Sequence, residues 1–371
     1  MTAVPLSYTI QIAMAPAPNA IMDAVQEIEI EATTEAASMF RLRLGIAQTA
    51  TSDWTVLELD PFRPLVPVQI RVQAGTGIPE AIINGYVTNQ HVTYSDEPGK
   101  SVLEVTGMDA TFLMNLQEKV MLWPNMPDSA IAAAIFGQYT VIPQAQATSP
   151  VLTEPEGTTT QRGTDIRFLR RLAARNGFDC YVQPEPTTGL DTGYFQPPTL
   201  VGTPQAILSV NMGELTNVTG FRVQYDMLRP TTAAGSSLDT SNKSPQAAVA
   251  PASLQVPLGL EGTLLRIVPP PIVRPAETGQ MKSPELQSAA QSIVDRSTWC
   301  VVAEGEVRPD VGILRPGKIV NVRGAGRVYN GSYYVTRVRH HITKDNYTQQ
   351  FQARRNAVGM TGAEVYASSP F

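Results

Sequence analysis

The chain has 371 residues, 43% of them hydrophobic and 16% charged, which supplies packed cores and more length than one ordinary domain uses. Acidic side chains number 33 against 28 basic ones, giving a net charge of -5, and no basic block stands out, so nucleic acid is not an expected partner. The two cysteines, Cys180 and Cys300, read as buried free thiols rather than as one disulfide, and three histidines (His91, His340 and His341) are too few for a zinc centre unless several carboxylates assist.

The segment from Met1 to Met22 carries no charged side chain, yet no Lys or Arg precedes its apolar part and Gln11, Pro16 and Pro18 interrupt it. A cleaved signal peptide is therefore not expected. No stretch approaches the roughly 20 apolar residues of a membrane span, so a soluble, unprocessed chain without a membrane span is expected.

Alternation with period two then dominates, the mark of half-buried strands. Glu27, Glu29 and Glu31 alternate with Ile28 and Ile30; Leu42, Leu44 and Ile46 with Arg41, Arg43 and Gly45; Val68, Ile70 and Val72 with Gln69 and Arg71. Two further runs lie between Ile82 and Val105. Residues 1–107 are expected to form a small all-β domain.

The period changes after that. Asp109 is placed to cap a short helix with Phe112, Leu113 and Leu116, and a second helix is expected from about Pro127 and Asp128, burying Ile131, Ile135 and Phe136. A third begins at Thr164, carries Ile166, Leu169 and Leu172 as its apolar stripe, shows Arg167, Arg170, Arg171 and Arg175 on its other faces, and stops at Gly177-Phe178. The strand Phe178 to Val182 follows, so 108–205 is expected to be an α+β insertion domain.

Alternation returns at Phe221, Val223, Tyr225 and Met227. Residues 230–258, rich in Thr, Ala, Ser, Pro and Gly, are expected to be a flexible loop or extended arm. One more helix is expected over Pro284 to Thr298 with Leu286, Ala289 and Ile293 inward, then strands at 299–307, 317–323, 332–342 and 347–354, with Asn330-Gly331 as a hairpin turn. The expected architecture is mainly β with an α+β insertion: a first barrel at 1–107, the insertion at 108–205, a second barrel at 206–358 interrupted by loop 230–258, and a tail at 359–371.

Candidate chemistry is sparse. Gly324-Ala325-Gly326 and Gly75-Thr76-Gly77 read as turns, not phosphate loops. His340 and His341 are adjacent on a strand and point to opposite faces, which disfavours joint metal ligation. The row Glu27/Glu29/Glu31 reads as a solvated sheet face or, after oligomerisation, as a ring of negative charge. The arginines of the 164–176 helix carry the same choice between an exposed face and a subunit contact. Asp226 and Asp23 form a carboxylate pair only if the fold brings them together. There is no GxSxG elbow and no HExxH. No catalytic, cofactor-binding or metal-binding residue is assigned, and no enzymatic activity is expected.

Three segments together resemble a known family. They are Leu103-Glu-Val-Thr-Gly-Met-Asp-Ala-Thr-Phe-Leu-Met-Asn-Leu116 with the helix from Asp128 to Ile135; Gln161 to Phe178, where a polar loop enters a T-D-x-x-F-L-x-R-L-A helix that closes on N-G; and Leu314 to Arg323 with Gly331 to His340 after it. This succession resembles the phage late control protein D family, which includes baseplate hubs of contractile tails and the N-terminal hub part of VgrG spikes. The resemblance implies two similar barrels per subunit and a homotrimer that sets six barrels in a pseudo-sixfold ring. Such a ring adapts a threefold spike below to a sixfold inner tube above, beside other baseplate subunits. It also implies a protein made in the bacterial cytoplasm and incorporated into the baseplate of a virion tail or injection particle. The chain ends at Phe371, shortly past its last expected strand, so the piercing tip is expected to be another chain. Two other classes compete: a tail-associated glycan hydrolase, and a receptor- or carbohydrate-binding β protein using Trp54, Trp123 and Trp299 as stacking platforms.

Overall fold

A computed structural model of the chain describes residues 6–75, 77–148, 158–238, 243–274, 283–344, 346–364 and 366. The protein is mainly antiparallel β, with a helical insertion, as the alternating pattern requires. One sheet of 13 strands runs through it. Its path is Val218–Tyr225, Val301–Val307, Tyr347–Arg355, Gly331–Thr343, Val25–Thr33, Met39–Gly45, Val102–Met108, Glu80–Thr93, Pro67–Ala74, Leu6–Ile12 and Ala15–Pro16, with Ile319–Arg323 and Ile207–Ser209 branching from Gly331–Thr343. The N-terminal and C-terminal halves thus meet edge to edge, where Gly331–Thr343 pairs with Val25–Thr33 from Arg337↔Thr33 to Thr343↔Glu27.

Each half curls around its own core. Ile28, Ile30, Leu42, Leu44, Ile70, Val72 and Val105 fill the first, and Ile342 and Tyr347 enter it from the C-terminal half. Leu208, Val301, Val320, Val322, Tyr333, Val335 and Val338 fill the second. A long strand turns the corner in each. Glu80–Thr93 pairs with Pro67–Ala74 through its first part and with Val102–Met108 through its second, with a register shift between Val87 and Asn89. Gly331–Thr343 pairs with Ile319–Arg323 first and with Val25–Thr33 later, and its pairing to Tyr347–Arg355 shifts between Val335 and Arg337. Such bulges bend a strand and let a sheet wrap. Inside the first half the ring of Phe40 occupies the space beside Gly85 and Gly107, where any Cβ would overlap it.

The insertion has a separate core of Ile131, Ile135, Phe136, Ile166, Phe168, Leu169, Leu172, Val182 and Phe195. Two of its helices follow their sequence signals closely, whereas the first spans only Ala110–Leu113 and leaves Leu116 outside it and exposed. Asp109 Oδ1 accepts from the Thr111 amide ahead of Ala110–Leu113, and Pro127 precedes Asp128–Gln138. Gly177 closes Asp165–Asn176 in the left-handed region at φ 69°, and the Phe178 amide reaches back to Ala173 O. Thr164 sits at the cap position, but its hydroxyl donates to Asn115 Oδ1 and caps nothing. The strands Glu118–Trp123 and Thr159–Thr164 pair with each other and had no clear alternation to announce them.

Several expectations need correction. Residues 230–258 are not an open loop. Thr232–Leu238 and Pro245–Ala250 form an antiparallel hairpin, with residues 239–242 outside the described set. Its small inward residues Ala233, Ala248 and Ala250 pack on Leu286, Ala290 and Val294 of the helix Ser283–Ser297. Alanines allow close approach of strand and helix, so a composition poor in large apolar groups still folds. The buried stripe of that helix is therefore Leu286/Ala290/Val294; Ala289 and Ile293 lie one step around and are half-buried. Asn330-Gly331 is not a two-residue hairpin turn, because the short helix Gly326–Tyr329 makes the connection and Asn330 Oδ1 accepts from the Ala325 amide. The tail beyond 366 lies outside the described residues. Among the described residues no helix is long and apolar enough to cross a membrane.

Candidate functional site

The row Glu27, Glu29 and Glu31 lies on the polar face of the continuous sheet, opposite the fully buried Ile28 and Ile30. Pairing places arginines on both sides of it. Arg41 Nη2 lies 2.6 Å from Glu29, Arg339 Nη2 2.7 Å from Glu29, Arg337 Nε 3.5 Å from Glu31, and His341 Nε2 2.8 Å from Glu27. The ladder continues outward as Arg43–Glu104 on one side, and as Gln350–Glu306, Gln352–Glu304 and Arg222–Glu304 on the other. The glutamates are charge-compensated within the chain and do not form a bare negative strip. Glu27, Glu29 and His341 also come close enough to share an ion, but the arginines already occupy the carboxylates.

Two ion pairs, each with one buried partner, hold the units together. Arg315, 5% exposed at its side chain, donates to Glu80 Oε2 at 2.8 Å and to Ala81 O at 2.9 Å, so a loop of the C-terminal half grips a strand of the first. Arg175 makes a two-pronged contact with Asp128 and lies 3.7 Å from Glu285, tying two helices of the insertion to Ser283–Ser297. The insertion is also seated on the first half. Asn84 Nδ2 donates to Gly189 O at 2.6 Å and to Asp191 Oδ1 at 3.0 Å, and Arg71 donates to Thr187 O. Burial raises the Asp191 carboxyl to about 7 despite the Asn84 hydrogen bond.

Where insertion, second half and the 283–297 helix meet there is a cavity of about 370 Å³. Four arginines line it, Arg170, Arg229, Arg296 and Arg354, against two carboxylates, Glu35 and Asp179, with Phe178, Trp299 and Tyr334 as apolar wall. Arg354 is committed to Glu35 at 2.6 Å. Asp179 accepts from Tyr334 Oη at 2.7 Å. Burial lifts the Asp179 carboxyl to about 6, with the Tyr334 hydrogen bond, Arg296 and Arg354 pulling the other way. Arg170 Nε and Nη2, and Arg354 Nε, are buried with no hydrogen-bond partner. No alternation or spacing marks this cavity in the sequence, since its arginines come from four separate elements; only the basic face of the 165–176 helix hinted at it.

The remaining candidates fall apart as a site. His340 is buried against Tyr347 Oη at 2.9 Å, while His341 is on the other face, as adjacent strand positions dictate. Burial, reinforced by Arg315, pushes the His340 imidazole down to about 3, so it is neutral. His91 lies at the exposed end of Glu80–Thr93. Cys180 and Cys300 are buried free thiols, and burial lifts the Cys180 thiol to about 12. Trp123 and Trp299 are buried, with indole N–H groups on Gln161 and Gln255, and Trp54 is half-buried against Tyr94. None of the three is a free stacking platform. Asp23 and Asp226 are exposed on separate elements, the first on the helix Asn19–Ala24 and the second just after Val218–Tyr225.

Solved structures with this fold come from phage-like and secretion systems. A tail protein from Neisseria meningitidis MC58 superposes with a TM-score of 0.66 at 12% identity, covering 95% of this chain and 97% of that one. The 43 kDa tail protein of prophage MuSo2 from Shewanella oneidensis gives 0.65 at 13% identity, covering 95% and 100%. An E. coli component of the type VI secretion system, described as similar to T4 bacteriophage tail proteins, gives 0.55 at 12% identity, covering 98% and 79%. None of the curated proteins compared matches the chain. The sequence itself matches the Alg8 N-terminal domain family over residues 5–344, and the chain belongs to that family.

Proposed function

We propose that the chain is a structural hub subunit in the baseplate of a contractile tail or injection machine, and not an enzyme. The observation that carries this reading is the single sheet that joins two curled halves, each with its own core, in one chain. Three copies would present six similar units, which lets a threefold spike below meet a sixfold inner tube above, beside other baseplate subunits. On this reading residues 1–107 and 206–358 are the two barrel domains, 108–205 is the insertion between them, and 359–371 is a tail. The protein would be made in the bacterial cytoplasm and carried into a virion tail or injection particle. Support comes from the shared fold with tail proteins of Neisseria meningitidis and Shewanella oneidensis.

The polar ladder around Glu29 fits a wetted face of such a ring, since its charges are already matched and ask for no partner of one sign. Mass photometry of the purified chain across a concentration series, with imaging of the assembled particle, tests the assembly. A trimer, or a ring of six barrels in the particle, is the expected result. A monomer at every concentration together with no ring in the particle would overturn it.

A further inference from the structure

We propose that the junction cavity is a binding site for an oxyanion, a phosphate or carboxylate group held between Arg170, Arg296 and Arg229. The charge balance of its wall motivates this. Four guanidinium groups face two carboxylates, and one of each is already spent in the Arg354–Glu35 pair. That leaves three arginines against Asp179, whose carboxylate also accepts from Tyr334. Among the described residues Arg170, Arg229 and Arg296 have no carboxylate within ion-pair distance.

Arg229 and Arg296 are solvent-exposed, so the cost of desolvation falls on Arg170 and shows in its hydrogen bonds. Arg170 Nε and Nη2 are buried donors with no acceptor. These adjacent edges of a guanidinium form the fork that receives two oxygens of one carboxylate or phosphate. Natural proteins rarely leave such donors empty unless a water or an ion completes them. The neighbouring aromatic surfaces of Phe178, Trp299 and Tyr334 lower the local dielectric and strengthen any ion pair made there. The volume, about 370 Å³, admits a phosphate with its hydration water or an acidic side chain, but not a folded partner element. Asp179 adds a pH dependence. Its environment comprises Glu35, Arg354, Arg296, Tyr334 and, through the next residue, Arg170. As pH falls through about 6 the Asp179 carboxylate gains a proton, and its repulsion on a ligand of unchanged charge drops.

The site stands independently of the hub reading. Isothermal titration of the purified full chain with inorganic phosphate and, in parallel, with succinate tests it, at constant ionic strength held with chloride. Saturable one-to-one binding of either probe at pH 7.5 is the expected result. Tighter phosphate binding assigns a free phosphate-type ion, and tighter succinate binding assigns a carboxylate such as a partner chain supplies. Arg170→Gln should weaken binding about tenfold or more, the loss of one charge-assisted fork. Arg229→Gln, at an exposed position on the wall, should weaken it several-fold and serves where Arg170→Gln does not fold. Arg167→Gln, on the same helix but outside the cavity, should leave it unchanged. Absence of saturable binding by both probes, or equal loss with Arg167→Gln and Arg229→Gln, would show that the arginines merely hold water.

Discussion

Arg315 and Glu80, 235 positions apart, form an ion pair of 2.8 Å that bridges the two halves of the sheet. The two partners are not equivalent. Arg315 is 5% exposed at its side chain and Glu80 is 32% exposed, so each truncation leaves a different orphan. Glu80→Ala strands a buried guanidinium whose Nη1 already lacks a partner. That change should cost about 3 kcal/mol, the penalty for breaking a buried pair on one side. Arg315→Met strands only a half-exposed carboxylate and the Ala81 carbonyl, and should cost less. The double variant should fall short of the sum. Denaturant unfolding of all four proteins measures this, and strict additivity would mean that the pair does not couple the halves.

Glu29 tests the polar ladder. It lies between Arg41 and Arg339 on a partly solvated face, so Glu29→Gln should cost roughly 0.5–1 kcal/mol and no more. Screening should erase most of the difference at 1 M salt, where the Debye length is about 3 Å. A loss that persists at high salt would show that the carboxylate is held by packing and not by charge.

Much of this fold was legible because alternation is a local signal. Ile28 and Ile30 are buried and Glu27 and Glu29 are half-open because successive side chains of a strand must part. Gly177 and Phe178 announced a helix end since few residues other than glycine take the left-handed turn. What stayed hidden is non-local. Nothing in the strand at Glu27 says that it pairs with one whose partners lie 304 to 316 positions away, though the complementary odd-numbered rows Glu27/Glu29/Glu31 and Arg337/Arg339/His341 are in plain view. The hairpin at 232–250 was missed for another reason. Alanine is a poor strand former, and it serves here only because the helix at 283–297 lies close above it. The junction cavity was illegible because its arginines reach one point from four elements.

Asp179 should make stability fall as pH rises. Its folded carboxyl is raised from 3.8 to about 6, so the folded state binds the proton more tightly than the unfolded chain does. The benefit is full below about 4 and is lost as pH climbs toward 6. Asp179→Asn keeps an acceptor for Tyr334 Oη and removes the buried charge. It should be more stable than the parent at pH 7 by on the order of 1–2 kcal/mol and equal to it near pH 4. Thermal melts at both values check this, and a variant less stable at pH 7 would mean that Asp179 is held mainly by Arg296 and Arg354.

His340 works in the opposite direction, and its variant also tests the claim that the chain performs no chemistry. Burial and the nearby Arg315 hold its imidazole neutral down to about pH 3, whereas the unfolded chain takes up a proton near 6.5. Below 6.5 protons therefore favour the unfolded state, and stability is lost progressively as pH falls from 6.5 toward 3. At pH 5 the loss from this one group should be about 2 kcal/mol. His340→Gln cannot titrate and retains a polar group for Tyr347 Oη, so its stability should be flatter between pH 6.5 and 4, at some cost at neutral pH from imperfect packing. Because the Asp179 effect runs the other way over part of that window, the two single variants must be melted separately across the whole range. On the proposed hub reading, particles built with His340→Gln should inject normally once the subunit folds, since a neutral imidazole sealed in the core touches nothing outside it. A variant that folds and assembles but no longer injects or lyses would give His340 a chemical role, and the structural reading of this chain would have to be abandoned.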